Sequence, residues 1–170
     1  MRQSDIELRN RTFEEVASDP EASVYYYSEH DGVQILVARG PMSLCSYYGV
    51  LLRGRPRNMP GYEELNASVH GGFTFGGSWV KWKGAPKEFW RCVDGYFWYG
   101  WDYAHYGDKS FWPSGEKDAI LKTLGKGHDY PDGGRGYPWT PADVTEQAIQ
   151  RVPEFKKELS KFLKKKKKSK

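Results

Sequence analysis

Two short stretches of this chain hold the residues best suited to chemistry. His70-Gly71-Gly72-Phe73-Thr74-Phe75-Gly76-Gly77 and Gly100-Trp101-Asp102-Tyr103-Ala104-His105-Tyr106-Gly107-Asp108 carry two of the four histidines, two aspartates and a threonine, set among glycines. Imidazole titrates near neutrality, so it can take up and release a proton under ordinary conditions. A carboxylate beside it fixes the tautomer and supports the imidazolium. Asp102, His105 and Asp108 stand at i, i+3 and i+6. On a continuing strand Asp102 and His105 would face opposite sides. They converge only where the chain turns after Trp101, and residues 104–107 can make that turn. The reading that follows makes His105 a general base oriented by Asp102, with His70 as acid or oxyanion partner. In the competing reading Asp102 and Asp108 bind loop amides and His105 is a polar plug.

The residues around these groups point to a phosphorylated small molecule as ligand. Gly71 and Gly72 can present backbone N–H groups to an anion, although neither a Walker lysine pattern nor a GxGxxG opening a helix is present. Thr74 and Asp108 add hydrogen-bonding side chains, and Trp101 offers a face on which a base can stack. Arg55, between Arg53 and Arg57 in a Pro/Gly loop, can clamp a phosphate through its guanidinium. Phosphodiester cleavage is the expected reaction if the site turns over, and sequestration of a nucleotide signal if it does not. No cofactor motif occurs. The site is read without a metal because no zinc or calcium spacing is present, and a divalent metal stays open. Cys45 and Cys92 have no histidine close in sequence and read as small buried hydrophobes.

These groups need a scaffold. Residues 24–27 and 34–38 read as strands, with Glu29-His30-Asp31-Gly32 as a hairpin turn between them. Residues 43–52 read as a third strand, 70–75 as a fourth opened by the paired glycines, and 96–101 as a buried fifth. Helical turns are expected at 13–16, 62–65, 86–92 and 118–124. The C-terminal helix has the clearest signals: Thr140 as N-cap, Pro141 at the first helical position and Asp143 in the first turn. Val144, Ala148, Val152, Phe155, Leu159 and Phe162 recur every three or four residues as one apolar stripe. Pro153 is expected to kink the helix without breaking it. The fold class expected is α+β: a curved, mostly antiparallel sheet of about five strands with the C-terminal helix packed on one face.

The bulk composition bounds what partners to expect. A chain of 170 residues makes one domain, here read as a polar lead-in over 1–20, a single α+β domain over 21–163 and a basic disordered tail over 164–170. Only 38% of residues are hydrophobic, but 7 Trp, 12 Tyr and 8 Phe supply large apolar groups for a core or a ligand platform. The net charge is +4. Residues 156–170 hold nine lysines against one glutamate, so the other 155 residues sum to −4. The fold itself is therefore mildly acidic, which argues against a nucleic-acid-binding surface on it. The terminal run Lys164 to Lys170 can make weak, salt-dependent nucleic-acid contacts. No stretch is apolar enough for a membrane span, the N-terminus shows no signal-peptide core, and two cysteines make no disulfide framework, so a cytoplasmic setting is expected. A homodimer would complete a pocket left open in one chain. A protein-interaction module inhibiting a host protein, with exposed aromatic groups as its interface, is the alternative function.

Five segments resemble a family of small, uncharacterised bacteriophage and prophage proteins. That family carries a Tyr-Val-Gly-Val segment, a Gly-His-Pro loop, a Tyr-Asp-x-Leu turn, a His-Gly-Gly-Leu-Thr-Tyr strand and a Gly-Phe-Asp-x-Ala-His-x-Gly-Asp motif. Matching positions here are Tyr48-Gly49-Val50, Gly54-Arg55-Pro56, Tyr62-Glu63-Glu64-Leu65, His70 to Phe75 and Gly100 to Asp108. Arg55 stands where the family has histidine, and the Trp-rich insertion between the two main motifs is longer. The resemblance implies a phage or prophage origin and action in the cytoplasm of a bacterial host. It supplies no activity. By analogy with phage proteins that blunt host immunity, the ligand expected is a nucleotide immune signal.

Overall fold

The hairpin expected around Asp31-Gly32 is where the sheet begins. In the computed structural model, which describes residues 24–39, 43–52, 58–78, 95–108 and 136–168, both turn residues take positive φ, 52° at Asp31 and 77° at Gly32. That is the backbone a two-residue hairpin needs to match strand twist. Strand β1 (Val24–His30) and strand β2 (Val33–Arg39) flank it in antiparallel register, with His30 opposite Val33. A register shift between Val24 and Tyr26 interrupts the alternation of β1. Tyr25 and its neighbour Tyr26 thereby both join the same apolar cluster.

Strand β3 (Leu44–Leu51) pairs with β2, and strand β5 (Tyr96–Asp102) pairs with β3. The short strand β4 (Phe75–Gly77) closes the order β1-β2-β3-β5-β4, every neighbouring pair antiparallel. Ile35, Tyr48 and Tyr99 stand opposite one another across three strands, all fully buried on one face. The other face buries Tyr27, Leu36, Ala38 and Trp98. Gly49 is required there: a Cβ would lie 2.7 Å from the Trp98 ring. Strands β2 and β5 are buried on both sides, which explains their nearly continuous apolar runs.

Helix α1 (Pro141–Lys168) crosses the first face. The Thr140 hydroxyl accepts from the Asp143 N–H at 3.2 Å while the Asp143 carboxylate accepts from the Thr140 N–H at 3.0 Å. This reciprocal cap satisfies two donors that a helix start leaves unpaired. Val144, Ala148, Val152, Phe155 and Leu159 are buried against the sheet, as the stripe predicts. Pro153 lies within the continuous helix. The Tyr48 hydroxyl donates to the Ala148 carbonyl at 2.5 Å and fixes the helix over β3. Lys156 bonds Asp31 in the hairpin turn, and Glu154 accepts from Ser68 N–H and Oγ at 3.1 and 2.8 Å.

The α+β class and the helix-on-sheet packing agree with the sequence reading, and three boundaries differ from it. Strand β1, expected to end at 27 ahead of a turn over Glu29–Gly32, runs on to His30 and leaves Asp31-Gly32 as the turn. The helix continues through Lys168, so Lys164–Lys168 form its last turns, where a disordered tail was expected. Lysine is a good helix former, and its charge is favourable at a helix C-terminus. The fourth strand begins at Phe75 instead of His70, because Gly71 and Gly72 take φ of 66° and 85° and turn the chain first. Near 62–65 the expected turn is a 3-10 turn over Tyr62–Glu64. The helical turns expected at 13–16, 86–92 and 118–124 lie outside the described residues. Among the described residues no helix is long and apolar enough to cross a membrane.

Candidate functional site

Three loops converge at the end of β5. The first is the turn before β4, closed by a hydrogen bond from Gly72 N–H to Val69 C=O at 3.0 Å and anchored to β5 by Thr74 N–H on Gly100 C=O at 2.8 Å. The second follows β5 directly, and Asp108 N–H donates back to His105 C=O at 2.9 Å within it. The third precedes α1, and Tyr137 N–H donates to Gly107 C=O at 2.8 Å. His70, His105 with Asp108, and Trp139 come from these three loops in turn.

Asp108 is the centre. Its side chain is only 6% exposed. One oxygen, Oδ2, lies 2.7 Å from His70 Nε2 and accepts the His105 backbone N–H at 2.8 Å. The other, Oδ1, accepts the Trp139 indole N–H at 2.8 Å. Desolvation pushes this carboxyl up, but the bonds from His70, Trp139 and the His105 backbone, with the His70 charge, outweigh it, and its pKa is lowered. The His70 ring stacks flat on Tyr103, with centroids 4.8 Å apart and planes 2° apart, and meets Trp139 edge-on at 5.0 Å. Tyr103 is itself buried; its hydroxyl accepts from the Trp101 indole at 3.1 Å and donates to Gln147 on α1 at 2.7 Å. Burial is the main reason this phenol is pushed up to about 12. The His70 plane is thus held by the helix through one intermediary.

The His105 ring stands edge-on to His70, centroids 5.1 Å apart. It rests on Gly71, where a Cβ would fall 2.1 Å from Cε1 and Nε2. Gly71 therefore serves this contact as well as the turn. His70 and His105 side chains are 22% and 35% exposed, so both imidazoles reach solvent above a buried carboxylate. Such a set can hold, take up and deliver protons, and its two nitrogens and one oxygen are also a donor set a metal ion can use.

The sequence reading placed His70, Gly71, Gly72, His105 and Asp108 at the site, and the structure brings them together. It corrects three roles. Asp102 does not orient His105: its Oδ1 accepts Ala104 N–H at 3.1 Å and its Oδ2 accepts the Thr74 hydroxyl at 3.2 Å. Asp102 thus spends itself on the turn it was expected to exploit, and Asp108, which was assigned to ligand, holds a histidine, His70. Trp101 is 1% exposed and faces the core, so it offers no stacking face. Position 101 shares the parity of Phe97 and Tyr99, and that face of β5 lies under the helix. Arg55 lies outside the described residues. Sequence reasoning missed Tyr103 and Trp139. Tyr103 sits inside the second motif and could have been found there; Trp139 lies 31 residues from Asp108 and no local pattern marks it. Comparison with protein-family models, with curated proteins and with solved structures finds no match to this chain.

Proposed function

We propose that this protein binds a phosphorylated small molecule and hydrolyses its phosphodiester bond by acid–base chemistry at His70 and His105. The observation that carries the reading is the 2.7 Å bond between His70 Nε2 and Asp108 Oδ2 beneath a second imidazole. A carboxylate on Nε2 favours the tautomer protonated there and leaves Nδ1 basic. In the step proposed, His70 Nδ1 takes a proton from water as its oxygen attacks phosphorus. The bond to the leaving oxygen breaks, and the His105 imidazolium protonates that oxygen. Asp108 supports the charge that forms on His70. This exchanges the roles read from sequence, since the histidine bonded to a carboxylate is His70.

The setting proposed is the cytoplasm of a bacterial host, with a nucleotide immune signal as the substrate. The resemblance of the two motifs to phage proteins supports it. Purified protein incubated with cyclic and linear nucleotides, then chromatographed before and after heat denaturation, tests the reading. New products that vanish in both His70→Ala and His105→Ala support hydrolysis. A nucleotide that disappears and returns intact shows sequestration, and no change across the panel refutes both. One observation favours the alternative of a protein-interaction module: Tyr106 is 99% and Tyr137 53% exposed on adjoining loops beside the site. Loss of partner capture on Tyr106→Ala, with His70→Ala neutral, would establish that reading instead.

A further inference from the structure

At the centre of the site one ring nitrogen is left over. His105 Nδ1 is buried and, among the described residues, has no hydrogen-bond partner. It lies 3.6 Å from Asp108 Oδ2, too far for a hydrogen bond. That oxygen already serves His70 Nε2 and the His105 backbone N–H. A single proton cannot satisfy both imidazoles. Bare, the Nδ1 lone pair faces a carboxylate; protonated, its N–H stops short of one.

A cation on this side of Asp108 answers all three groups. We propose that His70, His105 and Asp108 form a binding site for one divalent transition metal ion of the zinc class, which competes with the proton shared by His70 and Asp108. Donor atoms of the three residues lie within 4.8 Å of one another. Bond lengths of about 2.0–2.2 Å to nitrogen and oxygen call for donors closer together than the widest of these separations. A small swing of the half-exposed His105 ring supplies the contraction. Two imidazoles and a carboxylate suit zinc, cobalt, nickel or iron(II), and not magnesium or calcium, which prefer oxygen. The indole N–H of Trp139 occupies Oδ1 and leaves Oδ2 to ligate, the kind of outer support that orients a metal-bound carboxylate. Three protein ligands leave a coordination position open. The set spans 38 residues from His70 to Asp108 and so escapes any short spacing rule.

Binding replaces the proton on His70 Nε2 by the metal and releases that proton to the buffer. His70 then has no carboxylate to support it as a base, so the ion is an inhibitor; this consequence rests on the acid–base reading above, whereas the binding itself does not. The test uses the full chain without a histidine tag, stripped with chelator and titrated with Co2+ alone, then with Zn2+ against a chromophoric chelator. The expected result is one equivalent bound, visible Co2+ absorption from nitrogen and oxygen ligands, and proton release. His105→Ala weakens binding at least about tenfold with an unchanged circular dichroism spectrum, while His30→Ala leaves it unaltered. No saturable binding up to millimolar metal, or equal binding by His105→Ala, overturns the site. Nucleotide hydrolysis in chelator reads the two proposals apart: activity that Zn2+ does not suppress overturns the inhibition alone. Activity that appears only with metal overturns the acid–base reading and leaves the site standing.

Discussion

Replacing Asp108 by alanine removes the acceptor for three donors at once: His70 Nε2, the His105 backbone N–H and the Trp139 indole. A hydrogen bond to a charged group contributes about 1.5–3 kcal/mol net. His70 is partly exposed and can turn to water, so its share is largely recovered. The other two donors set the expected loss at about 3 kcal/mol, the lower end of their sum, because water can enter beside half-exposed rings. With a urea slope of about 2 kcal/mol per molar for a domain of this size, the midpoint moves down by about 1.5 M. Asp108→Asn is the milder change. Its oxygen can take the place of Oδ2 and keep two donors, but its amide then meets the Trp139 N–H, and about 1–2 kcal/mol is lost. Urea unfolding followed by circular dichroism measures both. An alanine variant whose midpoint stays within about 0.2 M of the parent refutes Asp108 as the fastener of the three loops.

Acid should reveal the same group. The folded pKa of Asp108 is depressed, so its contribution is complete above the unfolded value near 4 and fades as pH falls through the folded one. The gap between the urea midpoints of the parent and Asp108→Ala is therefore expected to be widest at pH 7 and to narrow as pH falls below about 4, the neutral carboxyl still accepting the two N–H bonds; a gap that does not narrow contradicts the linkage. The neighbouring glycines separate two costs of adding a methyl group. Gly72→Ala meets no neighbour among the described residues and incurs only its positive φ, about 1–2 kcal/mol. Gly71→Ala incurs the same φ and also drives into His105, so it should lose more stability and displace that ring in the imidazole NMR spectrum. Equal behaviour of the two variants would show that Gly71 does not seat His105.

Much of the fold was legible because it rests on local rules. The Asp31-Gly32 turn, the Thr140 cap and the stripe from Val144 to Leu159 each follow from residue type and spacing, and each stands where expected. The site was legible only as a list of participants. Glycine-flanked histidines and aspartates marked the two motifs, yet which carboxylate meets which ring depends on how tightly the chain turns after β5. Asp102 looked like the partner of His105 because it is nearest in sequence. It is the residue that caps the turn, and a side chain bonded to Ala104 N–H cannot also reach back to an imidazole. Trp101 looked like a platform because tryptophan can be one, and only the position of the helix decides that its face is closed. Trp139 and Gln147 reach the site by long-range closure, which no window along the chain reports.

That closure has a consequence for synthesis. Asp108 and both histidines are translated well before Trp139, 31 residues downstream of Asp108. At about 5–20 residues per second, the ribosome takes about 2–6 seconds to add the missing indole. During that interval a nascent chain carries both histidines and the carboxylate without the indole that fixes Oδ1. The Tyr103 hydroxyl that steadies His70 waits longer still, for Gln147. On the function proposed above, the centre is therefore complete only once helix α1 has been made and has docked, and hydrolysis waits for that step.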